Sequence, residues 1–369
     1  LGAGSLHLAA STLSVEHVTD NFTLRPPPVN RMGKPMFRES APLGDTDQFE
    51  ASWRVTRDSV TWILGVDGQL ESHDHPLADP TNPVFHVTNF NGVSRDRVGG
   101  FVNAITAAAG WELEAGLRYN RVRMDAGEVG GNLAIPPVSP MYVQQQRLDE
   151  LAAEFNAADR RVADDQWIGL AKASRDLGEA TRFNLGLGRK VRSPSYQERY
   201  LWLPMTATAG LADGWTYIGD IDLEPEQSIE LTAGVDWQVG GLRLTPEAYY
   251  RDVTDFIQGV TSTNETANRF AIASTGRPPL QYGNVDAELY GFDLDALRPI
   301  ADRYGLTICQ LAIVATLMHP AIHVAICGIK TPGQIAEAAG AVGKTISRED
   351  YFAVLKQLGY AISGGQPSR

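Results

Sequence analysis

The sequence predicts a mainly β protein: part of an up-and-down antiparallel transmembrane β-barrel, followed by a small α/β tail. Two observations predict the barrel part. Up to residue 296, apolar and polar residues alternate in segments of about ten, and tight turns alternate with long polar connections. A third observation separates the tail, because from Leu297 the apolar spacing becomes helical. The predicted domains are therefore residues 1–296 and 297–369.

The charge differs between the two predicted domains. Residues 297–369 hold seven Lys and Arg against four Asp and Glu, whereas residues 1–296 hold 25 against 40. We expect no nucleic-acid partner for so acidic a first domain, because phosphate binding needs a cationic surface. Both cysteines, Cys309 and Cys327, lie in the tail. Free thiols suit a cytosolic origin for the tail, and their absence suits an exported first domain.

Segments that would cross a membrane as helices are not predicted. No run of eighteen apolar residues occurs, whereas barrel strands give a weaker signal that this test does not exclude. The chain begins at Leu1 without a signal segment, so we expect that a leader or an upstream portion has been removed.

Alternation predicts about ten strands in the first domain. The clearest covers residues 228–239, and Gly240-Gly241 predicts a hairpin turn into a strand over residues 242–251. One face of the first of these is apolar, with Ile229, Leu231, Ala233, Val235, Trp237 and Val239. The other predicted strands cover Leu6–Val18, Phe49–Val55, Val60–Val66, Gly99–Thr106, Trp111–Tyr119, Asp165–Ser174, Thr181–Lys190 and Tyr282–Leu294.

The connections between these strands differ in length in a regular way. Tight turns are predicted near Arg57, Gly110, Gly178 and Gly240, and between them lie the long stretches 19–45, 68–97, 124–164, 191–225 and 252–280. A barrel with short periplasmic turns and long extracellular loops has this asymmetry. A soluble β-sandwich is the alternative, but its loops are not sorted by length. One long stretch also contains a predicted surface helix over Val143–Ala158.

Three segments of the first domain resemble one family. The segment Gly188–Tyr200 (GRKVRSPSYQERY) resembles the mid-barrel signature of TonB-dependent outer-membrane receptors, as do Gly219–Gly234 and Asn284–Phe292. The resemblance covers residues 1–296 and implies contact with outer-membrane lipid, a barrel of about 22 strands, an N-terminal plug and coupling to the TonB system. The sequence shows neither plug nor TonB box. We therefore expect an incomplete barrel, forming a curved and unclosed sheet.

Within that family, two segments resemble the copper-receptor branch, Tyr200–Pro204 and His17–Asn21. The resemblance implies soft metal ligands that include a His-x-Met pair. His17 matches this pair, while Thr19 stands where Met is expected.

Two methionines could supply the missing sulfur, because Met32 and Met36 follow His17 in the chain and thioethers suit Cu(I). The predicted metal site is therefore His17, Met32 and Met36, for a copper or iron species as transported ligand. Ordinary surface methionines are the alternative. His73-Asp74-His75 also has metal-ligand chemistry, but we predict that it lies in a solvated loop.

The sequence pattern of the tail predicts four helices and one buried strand. The helices cover Leu297–Tyr304, Thr307–Met318, Thr331–Gly340 and Ser347–Leu358, and the strand covers Val324–Cys327. This order fits the end of a (β/α)8 barrel. The segments Leu297–Ala301, Gln310–Ala312, His319-Pro320 and Ile326–Gln334 resemble the C-terminal end of the aldo-keto reductases.

That second resemblance implies a contact with NADP. Gly328 and Lys330 would hold the 2′-phosphate at a helix N-terminus, and Gln334 and Glu337 would approach the adenine. A solvated loop lysine is the alternative for Lys330. The family's Asp, Tyr, Lys and His tetrad belongs to earlier barrel strands that residues 297–369 do not include. We therefore predict no catalytic residue in this chain.

Three hypotheses for the whole chain follow. The first is a fragment of an outer-membrane receptor that takes up a metal or a metal complex without catalysing a reaction, fused to a reductase tail. The second is NADP-dependent carbonyl reduction, represented only by its cofactor-binding end. The third is a product without function, because both pieces are incomplete.

Overall fold

The computed structural model describes residues 4–29, 33–210, 213–239, 242–295, 298–318 and 332–357. Their strands are β1 Ser5–Glu16, β2 Thr19–Asp20, β3 Glu39–Ser40, β4 Leu43–Arg57, β5 Val60–Ala78, β6 His86–Ala108, β7 Trp111–Asp125, β8 Gly130–Asn132, β9 Val162–Asp176, β10 Thr181–Arg192, β11 Tyr217–Ile218, β12 Glu226–Val239, β13 Leu242–Thr261 and β14 Leu280–Asp295. The helices are α1 Val143–Ala157, α2 Tyr196–Tyr200, α3 Thr206–Ala209, α4 Glu265–Thr275, α5 Arg298–Arg303, α6 Ile308–Leu317, α7 Pro332–Ala339 and α8 Arg348–Gln357, with a 3-10 turn at Pro140–Tyr142.

The ten long strands are those that alternation predicts, and they form one sheet in chain order. The order is β1-β4-β5-β6-β7-β9-β10-β12-β13-β14, with the short β11 beside β14. The pairs from β1 through β7 are antiparallel, and only residues 58–59 and 109–110 separate β4 from β5 and β6 from β7. A single up-and-down sheet confirms the mainly β prediction and differs from the two packed sheets of a sandwich.

The two faces of this sheet have opposite chemistry. Along β5, Trp62, Leu64 and Val66 are exposed, while the residues between them are half-buried. Period two explains this, since neighbouring side chains point to opposite faces. Other exposed apolar residues of the same face are Leu6, Leu8, Phe49, Trp53, Val98, Leu113, Leu117, Trp167, Leu187, Ile229 and Leu231. Among the helices of the described ranges, none is both long enough and apolar enough to cross a bilayer.

The strands extend beyond the predicted ends, and this corrects one prediction. Residues 68–97 are not a loop: β5 continues to Ala78, β6 begins at His86, and only residues 79–85 connect them. Alternation of apolar and polar residues fades beyond Leu70 because both faces there carry polar groups. The backbone ladder continues nonetheless, since its hydrogen bonds do not depend on the side chains. The remaining long connections cover residues 17–42, 126–161, 193–225 and 262–279.

The main hydrophobic core lies in these long connections and the strand ends beside them. The predicted helix over Val143–Ala158 is present as α1, and it packs against α4. The core members from the connections include Leu148, Leu151, Phe155, Tyr200, Trp202, Leu203, Ala267 and Phe270, and those from the strands include Leu77, Val87, Phe90, Val93, Val122 and Met124. We call this assembly the cap.

The tail contains the four predicted helices, α5 to α8. Gly305, at φ 61°, follows α5 as predicted, and Thr307 begins α6 with a capping box to Gln310. These helices share a second core, formed by Ile300, Ala301, Leu306, Leu311, Val314, Ala315, Ala341, Ile346, Tyr351 and Val354. The predicted strand over Val324–Cys327 lies outside the described residues, so a resemblance to a (β/α)8 barrel stays a prediction.

By its internal contacts the chain divides into two compact units. One holds residues 1–173, 186–231 and 250–289, and the other holds residues 174–185, 232–249 and 290–369. The cap belongs to the first unit and the tail helices belong to the second. The predicted boundary after residue 296 stays a prediction.

Candidate functional site

The polar face of the sheet carries a series of ion pairs. Asp67 accepts hydrogen bonds from Arg97 Nη1 at 2.6 Å and from Arg118 Nη2 at 2.5 and 2.7 Å. Further pairs on the strands are Arg95–Glu71, Lys190–Glu230, Arg251–Glu230 and Arg192–Glu226. Polar residues on one face and exposed apolar residues on the other are typical of strands that line an aqueous lumen and face lipid.

Aromatic residues lie at both ends of the apolar stretch on β7. Trp111 is the first residue after the tight turn, and the Tyr119 ring packs against Trp167 with centroids 5.0 Å apart. Leu113, Ala115 and Leu117 lie between them on the same face. The eight steps from Trp111 to Tyr119 span about 27 Å along the strand, or about 20 Å across a bilayer at the usual tilt. Such a spacing is that of two aromatic girdles at the membrane surfaces.

At the long-connection end, the segment recognised as a family signature is held by a buried ion pair. Arg199 Nη2 donates to both carboxylate oxygens of Asp164 at 3.1 Å, and their side chains are 1% and 8% exposed. Arg199 Nη1 also donates to the Ile221 carbonyl at 2.7 Å. A Cβ on Gly219 would lie 2.6 Å from the Arg199 carbonyl oxygen, so only glycine fits at this position. Residues 193–225 are thereby fixed to the start of β9.

The same signature positions Tyr196 beside two histidines. Ser195 caps α2 and exchanges hydrogen bonds with Glu198, which sets the start of the helix at Tyr196. The Tyr196 ring packs against His73 with centroids 4.8 Å apart, and its hydroxyl lies 3.5 Å from His73 Nε2. His73 and His75, on one face of β5, have ring centroids 6.1 Å apart.

Two further residues complete this group, which we call the histidine cluster: His73, His75, Tyr196, Phe90 and Ser40. Phe90 is buried, and its ring lies 5.8 Å from His73, 6.0 Å from His75 and 5.2 Å from Tyr196. Ser40 Oγ lies 2.5 Å from His75 Nε2. The cluster lies beyond Leu70, the last large hydrophobic residue exposed on β5, and therefore outside the apolar band of the sheet.

Burial keeps both imidazoles uncharged. It lowers the pKa of His75 to about 4, helped by the positive charges that His73 and His17 would carry. It also lowers the pKa of His73, where the neighbouring Asp74 opposes the shift and His17 adds to it. Burial raises the pKa of Tyr196, so its hydroxyl keeps its proton. At neutral pH the cluster therefore presents neutral nitrogen donors, the form in which histidine binds metals.

The predicted metal residues occupy different places. His17 is exposed after β1 and close enough to His73 and His75 for its charge to act on both. Met36 is half-buried, and its backbone is held by Asn21 and Pro28, contacts that do not join its side chain to His17. Met32 lies outside the described residues. In the parts of the chain that the structure describes, no three His, Cys, Asp or Glu side chains are arranged to hold a metal ion.

The predicted NADP residues are described only in part. Gly328 and Lys330 lie outside the described residues. Gln334 is exposed on α7, and Glu337 is half-buried there, with its carbonyl accepting from Gln310 Nε2 at 2.9 Å. The predicted NADP contact therefore stays a prediction.

The prediction that His73-Asp74-His75 lies in a solvated loop is wrong, because these residues lie on β5. A signal was present in the alternation of Asp67, Gln69, Glu71, His73 and His75 along one face of β5. Nothing local indicates Tyr196 or Ser40 as neighbours, since they lie 123 and 35 residues from the histidines that they contact.

Comparisons with known proteins agree with this geometry. The family described as "TonB dependent receptor-like, beta-barrel" matches residues 9–360. The chain is similar to the copper transporter OprC, with a TM-score of 0.57 and 20% identity over 78% of this chain and 40% of that one. It is also similar to the ferric yersiniabactin uptake receptor FyuA from Yersinia pestis, with a TM-score of 0.48 and 14% identity over 79% and 37% of the chains.

At these identities OprC shows the fold alone, and the likeness to FyuA is too slight to carry an argument. The chain spans about two fifths of the length of these two structures. None of the curated proteins matches it. The family match continues through the predicted junction at residue 296, and the comparisons give no evidence for an aldo-keto reductase tail. The match covers nearly the whole sequence, so the chain belongs to the TonB-dependent receptor-like β-barrel family.

Proposed function

We propose that this chain forms part of the wall and the outer mouth of a receptor that takes up a metal ion or a metal complex across the outer membrane, powered by the TonB system. The observation that carries the proposal is the division of the sheet into an exposed apolar face and an ion-paired polar face. In water, so many exposed Leu, Val and Trp side chains would favour association. In a bilayer they contact lipid, and the ion pairs line the interior.

The cap supports the position of the mouth. Connections that carry a buried core of their own are ordered surfaces, and binding sites are disproportionately built on loops held by a rigid scaffold. The Arg199–Asp164 pair and the packing of α1 on α4 supply that scaffold here. The cargo would therefore meet this end of the strands first.

Copper is the cargo that we favour, and an iron complex is the alternative. The segments His17–Asn21 and Tyr200–Pro204 support copper through their resemblance to the copper-receptor branch. Neutral imidazoles and thioethers suit copper, whereas a ferric complex would be recognised largely through its chelator. Met36 and His17 keep their proposed role as ligands, together with Met32.

Uptake by whole cells tests the proposal. Gram-negative cells that express the receptor are compared with cells that lack it for accumulation of copper and of ferric chelates. We expect receptor-dependent accumulation that stops when the proton gradient is collapsed, with the protein in the outer-membrane fraction. Equal accumulation in both strains for every metal species would contradict the proposal, and so would recovery of the protein from the soluble fraction.

Carbonyl reduction by the tail is not proposed, since catalytic groups are not predicted in residues 297–369. A contact between NADP and Gly328, Lys330, Gln334 and Glu337 can be tested separately by titrating the purified chain with NADP. Binding that Lys330→Ala weakens would support the contact. Oxidation of NADPH with a panel of aldehydes would overturn the prediction that the chain has no reductase activity.

A further inference from the structure

We propose that His73 and His75 form a two-nitrogen metal subsite, which holds a borderline divalent ion such as Cu²⁺ and leaves its remaining coordination positions to the cargo's own ligands or to water. The inference rests on the proposed function and names the place where that function would begin. It differs from the sequence-based site of His17, Met32 and Met36, because it holds the ion through two imidazole nitrogens and no sulfur.

The separation of the two rings suits a shared ion. A metal bonded to two imidazole nitrogens at about 2.0–2.1 Å places the ring centres roughly 4.5–6.4 Å apart, depending on the angle at the metal. The centroids of His73 and His75 are 6.1 Å apart, within that range. Their places at i and i+2 of β5 put both side chains on the same face, and the irregular pairing with β6 begins between them. The two rings are therefore close enough to share one ion.

The surroundings of His75 fix the orientation of its ring. Ser40 Oγ contacts Nε2, and acceptance of the Nε2 proton by this hydroxyl leaves the Nδ1 lone pair free for a metal. Histidines that bind metals commonly donate their other ring nitrogen in this way. Phe90 packs beside both rings and Tyr196 beside His73, which limits the access of water from those sides. Ser40 and Phe90 thus act as positioning residues rather than ligands.

The available donors favour a transition metal over Ca²⁺ or Mg²⁺. Asp74, the carboxylate between the two histidines, is engaged elsewhere, since it accepts the Gly92 backbone N–H at 2.6 Å. Nitrogen donors suit copper, zinc or nickel, whereas the hard cations need several oxygens, and Glu71 on the same face is already paired with Arg95 and Gln69. No third His, Cys, Asp or Glu completes the site among the residues of known position. A ligand set of two is suited to a transported ion, which must bind and then leave.

Copper titration of the purified chain tests the subsite. The chain is prepared in detergent without a polyhistidine tag and titrated with Cu²⁺ alone at neutral pH. The variants are His73→Gln, His75→Gln and the double variant. The matched control is His86→Gln, which removes an exposed histidine from the start of β6, near the same end of the sheet. We expect at least about tenfold weaker binding in the double variant and unchanged binding in the control.

Electron paramagnetic resonance keeps the test informative if a variant misfolds. The Cu²⁺ spectrum of the unaltered chain should show coupling to two imidazole nitrogens, and the double variant should lose it. Unchanged affinity in the double variant, an equal loss in the control, or a spectrum without nitrogen coupling would overturn the subsite.

The uptake assay separates this inference from the proposed function. If cells that carry the double variant take up copper as well as cells with the unaltered receptor, the proposed subsite is wrong and the proposed receptor function stands. If the purified chain binds Cu²⁺ through both histidines but cells with the receptor accumulate no metal, the subsite stands and the proposed function is wrong.

Discussion

The ten long strands, which we call the strand band, expose apolar side chains on one face, whereas the cap buries its apolar side chains. On the strands, Leu117 and Leu231 are 49% and 53% exposed, although each lies in a regular part of the sheet. In the connections, which are polar in composition, Trp202 is 4% exposed and Leu203 is fully buried. The part with regular secondary structure thus exposes its apolar residues, and the irregular part buries them.

This difference indicates what stabilises each part. The cap gains free energy from apolar area removed from water, as any soluble core does. The strand band gains none from its outward residues unless lipid covers them, and its internal stability comes from the backbone ladder and the ion pairs of the polar face. The change in the free energy of unfolding caused by a substitution should therefore depend on burial and charge pairing in the cap, and on the presence of a bilayer in the strand band.

Trp202→Ala should have the largest effect, because it removes the biggest side chain of the cap core. The free energy of unfolding should fall by about 3–5 kcal/mol. The indole also donates Nε1 to the carbonyls of Thr88 and Asn89 at 3.2 and 3.1 Å, and both bonds would be lost. Denaturation by guanidinium in detergent micelles measures the change. The control is Trp167→Ala on the outward face, where loss of the ring contact with Tyr119 should cost about 1 kcal/mol. Equal losses would contradict the comparison.

Asp164→Ala should destabilise the chain by a similar or slightly smaller amount, about 3–5 kcal/mol, because it leaves Arg199 buried without its partner charge. An exposed pair provides the matched control: Asp125 accepts from Arg161 Nε at 3.0 Å, and the Arg161 side chain is 84% exposed. Asp125→Ala should cost at most about 1 kcal/mol. The same unfolding measurement applies. A small loss for Asp164→Ala would show that the Arg199–Asp164 pair does not hold residues 193–225 in place.

Leu117→Arg tests whether the outward face meets lipid. In bilayer vesicles this substitution should cost about 2–4 kcal/mol, because a guanidinium near the middle of the membrane is poorly solvated. Val138→Arg introduces the same charge at an apolar residue that is 94% exposed in the connection after β8, and it should change stability by less than about 0.5 kcal/mol. If both substitutions are neutral in vesicles, the face that carries Leu117 does not contact lipid.

Local pattern predicts the ten long strands, α1 and the four tail helices, but α4 lies within residues 252–280, for which the pattern predicts a loop. Period two predicted the ten long strands, and capping residues such as Thr307 and Gly305 predicted the ends of the tail helices. The predicted end of a strand comes too early where apolar alternation stops, as at Val66. The backbone hydrogen bonds of β5 continue past this residue, because they do not depend on that alternation.

The site could not be predicted in the same way, because its contacts join residues far apart in the chain. Trp202 contacts Asn89, which lies 113 residues earlier in the chain, and Tyr196 contacts His73, which lies 123 residues earlier. Resemblance located the signature around Arg199, but the partner of Arg199, Asp164, has no local signal. Burial in a connection depends on which other connections fold over it, and period and composition do not contain that information.

Asp350→Asn should have the smallest effect, confined to the tail and to acid pH. The hydrogen bond from Tyr304 chiefly lowers the pKa of Asp350 below its ordinary 3.8, with Ser347 and Arg303 adding to it and burial opposing it. A lowered pKa in the folded state contributes stability that is present above 3.8 and is lost as the pH falls through the folded-state value. Hydrogen exchange of α8 should therefore quicken, relative to its intrinsic rate, as the pH falls from above 3.8 through the folded-state pKa.

The asparagine variant should remove most of that pH dependence, because a neutral amide cannot lose a charge. Asp302→Asn, at an exposed acid of α5, serves as the control and should leave it unchanged. Acid-induced exchange of α8 that persists in Asp350→Asn, or that Asp302→Asn also removes, would show that the carboxylate of Asp350 does not set the acid stability of the tail.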